Sequence, residues 1–208
     1  MDAFMKGSYP QILLDTYGDE LASVIKPGDL ESATIKNDFI GINYYFDNRI
    51  GKSLGGKPEW HSISGLFEQD IEETPRGPLT DMGWPLTPEG LENLLVRWHK
   101  EHGDKLPDLY ITENGCAYGD GPGPDGAVHD PKRIDYLQTH LKAVSNAIAQ
   151  GSPVKGYYQW SLMDNFEWAL GYEKRFGIVH VDFETQKRII KDSGYWYRDQ
   201  IKNNGSTI

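Results

Sequence analysis

The chain is short of cysteine, and this shortage limits its chemistry. Cys116 is the only cysteine among 208 residues, so no intrachain disulfide can form and nothing signals an oxidising compartment. A lone thiol needs a base or a cationic neighbour to react, and no histidine lies within ten residues of Cys116. We therefore expect Cys116 to be structural and not a nucleophile.

Basic residues and long apolar runs are also scarce. Lys and Arg number 21 against 31 Asp and Glu, which gives a net charge of −10 without a basic patch and argues against nucleic acid as a partner. No segment approaches the apolar length of a membrane span. Residues 1–8 lack the basic start and apolar run of a secretory leader, so we expect a cytoplasmic protein with no membrane partner.

Two further kinds of site lack their usual patterns. The six histidines are scattered and show no His-x-x-x-His pair with an acidic partner, as a metal site on a helix would require. Residues 119–126 are rich in glycine, but no Lys-Ser or Lys-Thr pair follows them, so a phosphate-binding loop is not expected. We expect neither a metal nor an organic cofactor.

Strand and helix patterns alternate along the chain, which indicates α/β organisation in one structural unit spanning residues 1–208. Apolar runs predict strands over residues 38–45, 107–113 and 154–160, each followed by a loop and a helix. The predicted helices cover residues 8–20, 87–103, 130–150 and about 193 onward, and a hairpin is expected over residues 177–190. The sequence therefore predicts three strand-loop-helix units.

The faces and loops of these elements can also be predicted. Helical spacing places four side chains roughly on one face of the first helix and five on the face of the third: Ile12, Leu13, Tyr17 and Leu21, then Ile134, Leu137, Leu141, Val144 and Ile148. Thr87 is expected to be the N-cap of the second helix, with Pro88 at its first position. Residues 46–85 are rich in Gly, Pro and Ser and predict a loop at the mouth of a site, or alternatively a disordered linker; Trp60, Phe67 and Trp84 favour the loop.

The most informative motif is the short strand of residues 110–115, which reads Tyr-Ile-Thr-Glu-Asn-Gly. A strand that ends on a carboxylate and then breaks at glycine holds Glu113 rigidly at the edge of a sheet, where a nucleophile or general base would lie. A Glu that merely solvates a loop is the common alternative. The aromatic and acidic block at residues 160–168 favours the catalytic interpretation.

These two blocks resemble the C-terminal part of the family 1 glycoside hydrolases, the retaining β-glucosidases and their relatives. Residues 110–115 resemble the family's nucleophile strand, residues 156–196 a longer segment, and residues 38–45 the strand that precedes the nucleophile strand. The resemblance implies a partial (β/α)8 barrel of about the last three βα units, with the site at the carboxyl ends of the strands.

The resemblance is incomplete at its N-terminal side. The family's general acid/base is the Glu of an Asn-Glu-Pro motif, and this sequence contains neither Asn-Glu nor Glu-Pro. The similarity begins with residues 4–10, which resemble the segment between the family's fifth and sixth strands. About five of the eight barrel strands have no counterpart here. The family's N-terminal sugar-binding residues are missing with them.

The resemblance implies a role for each matching residue. Glu113 corresponds to the nucleophile, and Tyr45 would hydrogen-bond its carboxylate and orient it; an ordinary core tyrosine is the alternative. The remaining matches are expected to bind the sugar, with an aromatic floor and a carboxylate for the hydroxyl groups: Asn43, Trp160, Glu167, Trp168 and Phe176. Family members that act on 6-phosphorylated sugars lack the equivalent of Glu167, so an unphosphorylated hexose is expected. Asp164 is a fallback proton donor, although a loop-stabilising role is favoured.

The sequence therefore predicts hydrolysis of terminal non-reducing β-D-glucosyl or related residues with retention, by a chain that carries the nucleophile and part of the sugar pocket but no acid/base. Two alternatives stay open. One is a sugar-binding module without catalysis, and the other is an inactive barrel fragment that assembles with copies of itself or with an N-terminal partner. A β-glucoside or related oligosaccharide is the expected substrate.

Overall fold

The structure, a computed structural model, describes residues 1–47 and 77–208. The bounds of its elements, in chain order, are α1 Asp2–Lys6, α2 Gln11–Val24, α3 Asp29–Ala33, β1 Phe39–Asn43, α4 Pro88–His102, β2 Asp108–Asn114, α5 Pro131–Ala149, β3 Val154–Gln159, β4 Val179–Val181, β5 Arg188–Ile190 and α6 Asp192–Lys202. The three predicted strand-and-helix units are all present. Much of the predicted 46–85 loop, including Trp60 and Phe67, lies outside the described residues.

Strands β1, β2 and β3 form a parallel sheet in that order, so β2 is the central strand. Parallel strands need a crossover connection, and α4 and α5 occupy the two connections here. The register of β1 and β2 shifts between Ile42 and Asn43, where Asn43 comes to lie opposite Glu113. Because all three strands run the same way, their carboxyl ends meet at one edge of the sheet.

The main hydrophobic core lies between this sheet and the helices α4 and α5. Leu91 and Leu95 of α4 and Leu109 and Ile111 of β2 are fully buried in it, together with Ala147 of α5. The alternation along β2 buries Leu109 and Ile111, as expected for a central strand under helices. Each buried Leu or Ile contributes on the order of 1.5–3 kcal/mol relative to an exposed position.

The buried stripe of α5 differs from the predicted one. Leu137 and Val144 are buried as expected, but Ile148 is 48% exposed. The stripe is rotated toward residues that are polar or small, and its other members are Arg133, Tyr136, His140, Ala143 and Ala147. Arg133 and Tyr136 can be buried because their polar atoms form hydrogen bonds with buried partners. A hydrophobicity pattern cannot show such partners.

The cap of α4 also differs in detail. Thr87 occupies the N-cap position before Pro88, but its side chain makes no capping bond to the helix. Instead, the Thr87 hydroxyl accepts a hydrogen bond from the backbone N–H of Asp47 at 2.9 Å, and the Tyr44 hydroxyl donates to the Thr87 carbonyl at 2.6 Å. The residue therefore connects the end of β1 to the start of α4.

The N-terminal helices bury little. Helices α1, α2 and α3 contain no buried residue, and Ile12 of the predicted inner face is 73% exposed. The expected helix exists, but none of the predicted face residues is buried: Ile12 and Leu13 are exposed, and Tyr17 and Leu21 are half-buried. The sequence pattern predicts a helix face that could be buried, but the described residues do not bury it.

The C-terminal part forms an antiparallel hairpin and a final helix. Strands β4 and β5 pair with His180 opposite Ile189, which confirms the predicted hairpin, and α6 begins at Asp192. Among the helices of the described ranges, none is long and apolar enough to cross a membrane. The cytoplasmic location stays a prediction.

Candidate active site

Glu113 lies at the carboxyl end of the central strand, with Tyr45 beside it. The Tyr45 hydroxyl donates a hydrogen bond of 2.7 Å to Oε2 of Glu113. Burial raises the pKa of Tyr45, and both this hydrogen bond and the charges of Glu113 and Glu167 raise it further. The phenol therefore stays protonated and acts as a fixed donor to the carboxylate at neutral pH.

The glycine of the Glu-Asn-Gly motif permits a close contact between two strand ends. A Cβ atom at Gly115 would lie 1.8 Å from the carbonyl oxygen of Trp160, far inside van der Waals contact. The backbone N–H of Trp160 also donates to the Asn114 carbonyl at 3.0 Å. Only glycine fits between the ends of β2 and β3, so the motif brings Trp160 close to the Glu113 strand.

A cavity of about 330 Å³ opens at this end of the sheet. Five of the residues singled out in the sequence line it together, with four that were not assigned to the site: Tyr45, Glu113, Glu167, Trp168 and Phe176, then Met82, Trp84, Ala169 and Leu170. The sequence motifs thus converge on one concave, partly aromatic space. This volume is at the lower end of the range usual for small-molecule sites.

An aromatic wall forms one side of the cavity. The ring of Trp84 lies 5.2 Å from that of Tyr45 and 6.0 Å from that of Phe176, and the Tyr45 and Phe176 centroids are 6.3 Å apart. These are ordinary distances for tilted and edge-to-face ring pairs. Trp84 was expected only to pack a loop. The sequence signal that could have predicted Trp84 as a cavity residue is its position after a strand, in the loop expected at the mouth of the site.

Glu167 is the second carboxylate of the cavity. Partial burial raises its pKa, a hydrogen bond from the Trp160 side chain lowers it, and the charge of Glu113 raises it again. Trp160 does not itself line the cavity, but it contacts Glu167. Trp168 lies at the rim with 81% of its surface exposed. The cavity therefore holds two carboxylates, Glu113 and Glu167, each with a side-chain hydrogen-bond donor.

Asn43 lies apart from this group. Its Oδ1 accepts a hydrogen bond of 2.7 Å from the Thr112 hydroxyl, and Asn43 is not among the residues that line the cavity. Thr112 and Asn43 point to the side of the sheet opposite the buried face, since both are exposed. Its role in sugar binding stays a prediction.

Charged residues form a buried network beside the cavity, and the sequence reasoning missed most of it. Arg133 has a fully buried side chain and donates to the carbonyls of Cys116, of Arg175 at 3.1 Å and of Phe176 at 3.3 Å. Its remaining donors meet the carboxylates of Asp120 and Asp130. Except for Asp130, three residues before Arg133, the partners are distant along the chain, so no local motif indicates them.

Asp164 belongs to the same network. Its carboxylate accepts from Arg175 at 2.7 Å, from Lys191 at 3.2 Å and from the backbone N–H of Gly177 at 3.0 Å. Burial and the charge of Arg133 lower the pKa of Lys191. With its oxygens occupied by these donors, Asp164 supports the loop at Phe176, in keeping with the structural role favoured from the sequence.

Cys116 is fully buried, and burial raises the pKa of its thiol to about 12. A thiol that stays protonated and inaccessible is a poor nucleophile. Within residues 1–47 and 77–208, no group of three or more His, Cys, Asp or Glu is arranged to hold a metal ion. The expectation of a reaction without a cofactor stays a prediction.

Comparison with known proteins places these features in a family. Residues 1–206 match the family model described as Glycosyl hydrolase family 1. The chain is 44% identical over 205 residues to Beta-glucosidase A of Thermotoga maritima, covering 99% of this chain and 43% of that protein. It is also 44% identical over 209 residues to Beta-glucosidase A of Acetivibrio thermocellus, covering 99% of this chain and 44% of the relative.

Solved structures agree. The family 1 β-glucosidase from Thermotoga maritima in complex with isofagomine lactam superposes with a TM-score of 0.82 at 43% identity, over 98% of this chain and 43% of that one. These neighbours are (β/α)8 barrels, and the three parallel strands here form an open part of that fold, which confirms the predicted fold class. The chain spans less than half the length of the curated relatives it matches.

Proposed function

This chain belongs to glycosyl hydrolase family 1, and we propose that it supplies the nucleophile and part of the sugar pocket for hydrolysis of terminal non-reducing β-D-glucosyl residues with retention. The observation that carries the proposal is the Tyr45–Glu113 hydrogen bond at the wall of an aromatic cavity. A carboxylate fixed in this way is oriented for attack.

The chemistry of the first step follows from this arrangement. Glu113 attacks the anomeric carbon, a carbon–oxygen bond forms to the carboxylate, and the bond to the leaving oxygen breaks. The leaving oxygen needs a proton from an acid about 5 Å from the nucleophile. We assign that acid to a part of the enzyme other than this chain. Water then cleaves the glycosyl-enzyme ester and restores Glu113.

The other cavity residues have binding roles in this proposal. Phe176 and Trp84 present ring surfaces that favour the C–H face of a pyranose, and Trp160 is the expected floor. Glu167, held by the Trp160 side chain, is a hydrogen-bond acceptor for sugar hydroxyl groups. Its negative charge would repel a phosphate, so the proposed glycone is an unphosphorylated hexose. The names of the two β-glucosidase relatives support glucose.

Labelling of the nucleophile tests the proposal. A 2,4-dinitrophenyl 2-deoxy-2-fluoro-β-D-glucoside needs little protonation of its leaving group, so the chain should be glycosylated slowly without an acid. Peptide mapping by mass spectrometry should find the label at Glu113, and Glu113→Gln should remove it. A label on another residue of folded chain would show that the assignment is wrong. Sugar binding without any label would favour the binding-module alternative.

Hydrolysis of a natural substrate should be far weaker. Loss of a positioned general acid costs about 10²- to 10⁴-fold, and loss of half of the pocket costs more through poorer orientation. We expect purified chain to leave cellobiose untouched. Robust release of glucose by this chain, with contaminating enzyme excluded, would mean that a carboxylate within it serves as the acid.

The second part of the proposal is that this chain associates with another polypeptide chain. Strands β1 and β3 each have one edge that is unpaired within the described sheet, and Phe39 and Tyr158 on these strands are 57% and 58% exposed. Open edges of this kind tend to pair with another chain. We therefore propose a homo-oligomer, or a complex with the N-terminal part of the barrel. Light scattering over a dilution series should show species larger than a monomer; a stable monomer without dye-accessible apolar surface would contradict this.

A further inference from the structure

The Tyr45–Glu113 pair depends on the relative position of two strand ends. Beyond the register shift at Asn43, the strands are still joined by a hydrogen bond of 2.9 Å from the backbone N–H of Tyr44 to the Glu113 carbonyl. Tyr45 itself lies past the end of β1. Regular sheet pairing therefore does not hold its backbone, and other contacts must do so.

Asn114 supplies one of these contacts. Its buried amide nitrogen donates to the Tyr44 carbonyl at 2.7 Å and to the Tyr136 hydroxyl at 3.0 Å. The hydroxyl of Tyr157 donates to the other end of the amide, at Oδ1. Because the Tyr44 carbonyl can only accept, the amide nitrogen must face it; this assigns the orientation of the amide, and both amide hydrogens are used.

Tyr136 extends this chain of hydrogen bonds to Tyr45. Its hydroxyl accepts from Asn114 and donates to the Tyr45 carbonyl at 3.3 Å. The Tyr136 ring is 1% exposed and stacks on His140 with 3.9 Å between centroids, so the hydroxyl is held in place by packing. Two consecutive carbonyls, at Tyr44 and Tyr45, are thus anchored by side chains from β2 and α5.

We propose that Asn114 and Tyr136 are positioning residues that hold the backbone of Tyr45 so that its hydroxyl stays on the Glu113 carboxylate. The proposal rests on the proposed function for its catalytic meaning, while the anchoring itself is a property of the structure. Neither residue lines the cavity, so each acts through Tyr45. Hydrogen bonds within the interior keep Tyr45 in place without occupying space needed by a sugar.

The test compares two tyrosine hydroxyls that each donate to a backbone carbonyl. Tyr136→Phe removes the bond to Tyr45, and the matched control Tyr197→Phe removes a bond of 3.1 Å to the Tyr157 carbonyl. With ¹³Cζ-labelled tyrosine in the full chain, Tyr45→Phe assigns the Tyr45 signal, and Glu113→Gln shows where that signal lies when the carboxylate partner is lost. We expect Tyr136→Phe, but not Tyr197→Phe, to move the signal toward its position in Glu113→Gln.

A second variant protects the test against failure to fold. Tyr157→Phe removes neither hydrogen-bond donor to the Tyr44 and Tyr45 carbonyls, but it allows the Asn114 amide to turn. The Tyr45 signal should therefore move in the same direction by a smaller amount. A Tyr45 signal unchanged in folded Tyr136→Phe would overturn the proposal, and if Tyr136→Phe does not fold, a signal unchanged in Tyr157→Phe would overturn it. An equal movement in Tyr197→Phe would also overturn it, because the effect would then be general.

Kinetic labelling adds the catalytic readout. The rate at which the fluoro-glucoside labels Glu113 should fall about tenfold in Tyr136→Phe and stay unchanged in Tyr197→Phe, because the near-attack geometry of the carboxylate is lost only in the first. Absence of labelling in the unmodified chain would count against the proposed function alone, since the Tyr45 signal still decides the positioning roles. Equal rates in the unmodified chain and Tyr136→Phe would overturn the catalytic importance of the anchor.

Discussion

Residues 1–38 and residues 88–202 differ sharply in how they use their apolar side chains. The first region contains three helices and no buried residue. The second contains the central strand, and residues such as Leu137 and Arg133 have no exposed surface at all. Both regions have amphipathic patterns, but within the described residues the first contributes only the partly buried Met1 and Met5 to the main core, whereas the second forms most of that core.

This difference teaches where the partners of each region lie. The C-terminal region supplies two strands of the sheet and the helices that cover it, and it lines the Glu113 cavity together with Tyr45, Met82 and Trp84. The N-terminal helices present Ile12, Leu13 and Leu14 to solvent, with exposures of 73%, 38% and 39%. Such faces require a covering surface that the described residues do not provide. Three comparisons test this view, the first between buried and exposed sites within residues 88–202 and the other two between the regions.

Replacement of the buried Arg133 should have the largest effect on the free energy of unfolding. Arg133→Met leaves the Asp130 carboxylate without its cation and leaves Asp120 paired with Lys191 alone, and breaking a buried ion pair costs about 3–5 kcal/mol in free energy of unfolding. The matched variant Arg97→Met removes an exposed i,i+4 pair with Glu101 and should leave the unfolding midpoint unchanged. Urea denaturation followed by circular dichroism measures both. Similar midpoints for the two variants would contradict the proposed importance of the network.

The same leucine truncation should give different results in the two regions. Leu137→Ala creates a cavity in the core and should cost about 2–5 kcal/mol. Leu13→Ala lies in the unburied α2 helix and should change the stability of the chain alone by less than about 0.5 kcal/mol. Thermal and urea unfolding of the two purified variants provide the measurement. An equal loss would show that α2 is packed in solution after all.

Acid should destabilise only the region that contains a buried histidine. Burial lowers the pKa of His140 to about 4 from an ordinary value of 6.5. Between these values the unfolded chain binds a proton that the folded chain does not, so stability falls as the pH falls. The loss amounts to on the order of 3 kcal/mol. Residues 1–38 contain no histidine.

His140→Phe keeps a ring beside Tyr136 and removes this titration. Its free energy of unfolding should therefore decline less than that of the unmodified chain between pH 6.5 and pH 4, when urea denaturation is followed at several pH values. Leu13→Ala is the control and should follow the unmodified chain. If the His140→Phe profile were as steep as the original, other groups would be responsible for the acid sensitivity.

The sequence predicted the order of elements well because local signals mark them. Apolar runs located β1, β2 and β3, and Asp130 followed by Pro131 marked the start of α5. The motif ending at Glu113 located the candidate nucleophile, since a strand end needs only neighbouring residues to be recognised. Tyr45 came from the family resemblance, and its 2.7 Å bond to Glu113 gives that assignment a geometry.

Other features depend on residues that are distant along the chain, and these escaped prediction. Arg133 and His140 are buried because α5 turns them toward partners in loops and on β1. The hydrophobic pattern therefore favoured Ile148 instead, which is exposed. Thr87 resembled an ordinary cap, yet its side chain bonds Asp47. The exposed face of α2 shows the opposite error, since an amphipathic pattern cannot say whether its covering surface belongs to the same chain.

The central position of β2 has a consequence for recombination. Its neighbours on both sides, β1 and β3, are encoded by the same stretch of chain, so Glu113 and Tyr45 are inherited together with the side chains that hold them. A crossover upstream of β1 could exchange the remainder of a barrel without separating this pair. In a chimaera, aglycone preference and proton donation could then vary with the N-terminal parent, while the proposed nucleophile Glu113 and its partner Tyr45 pass unchanged from this one.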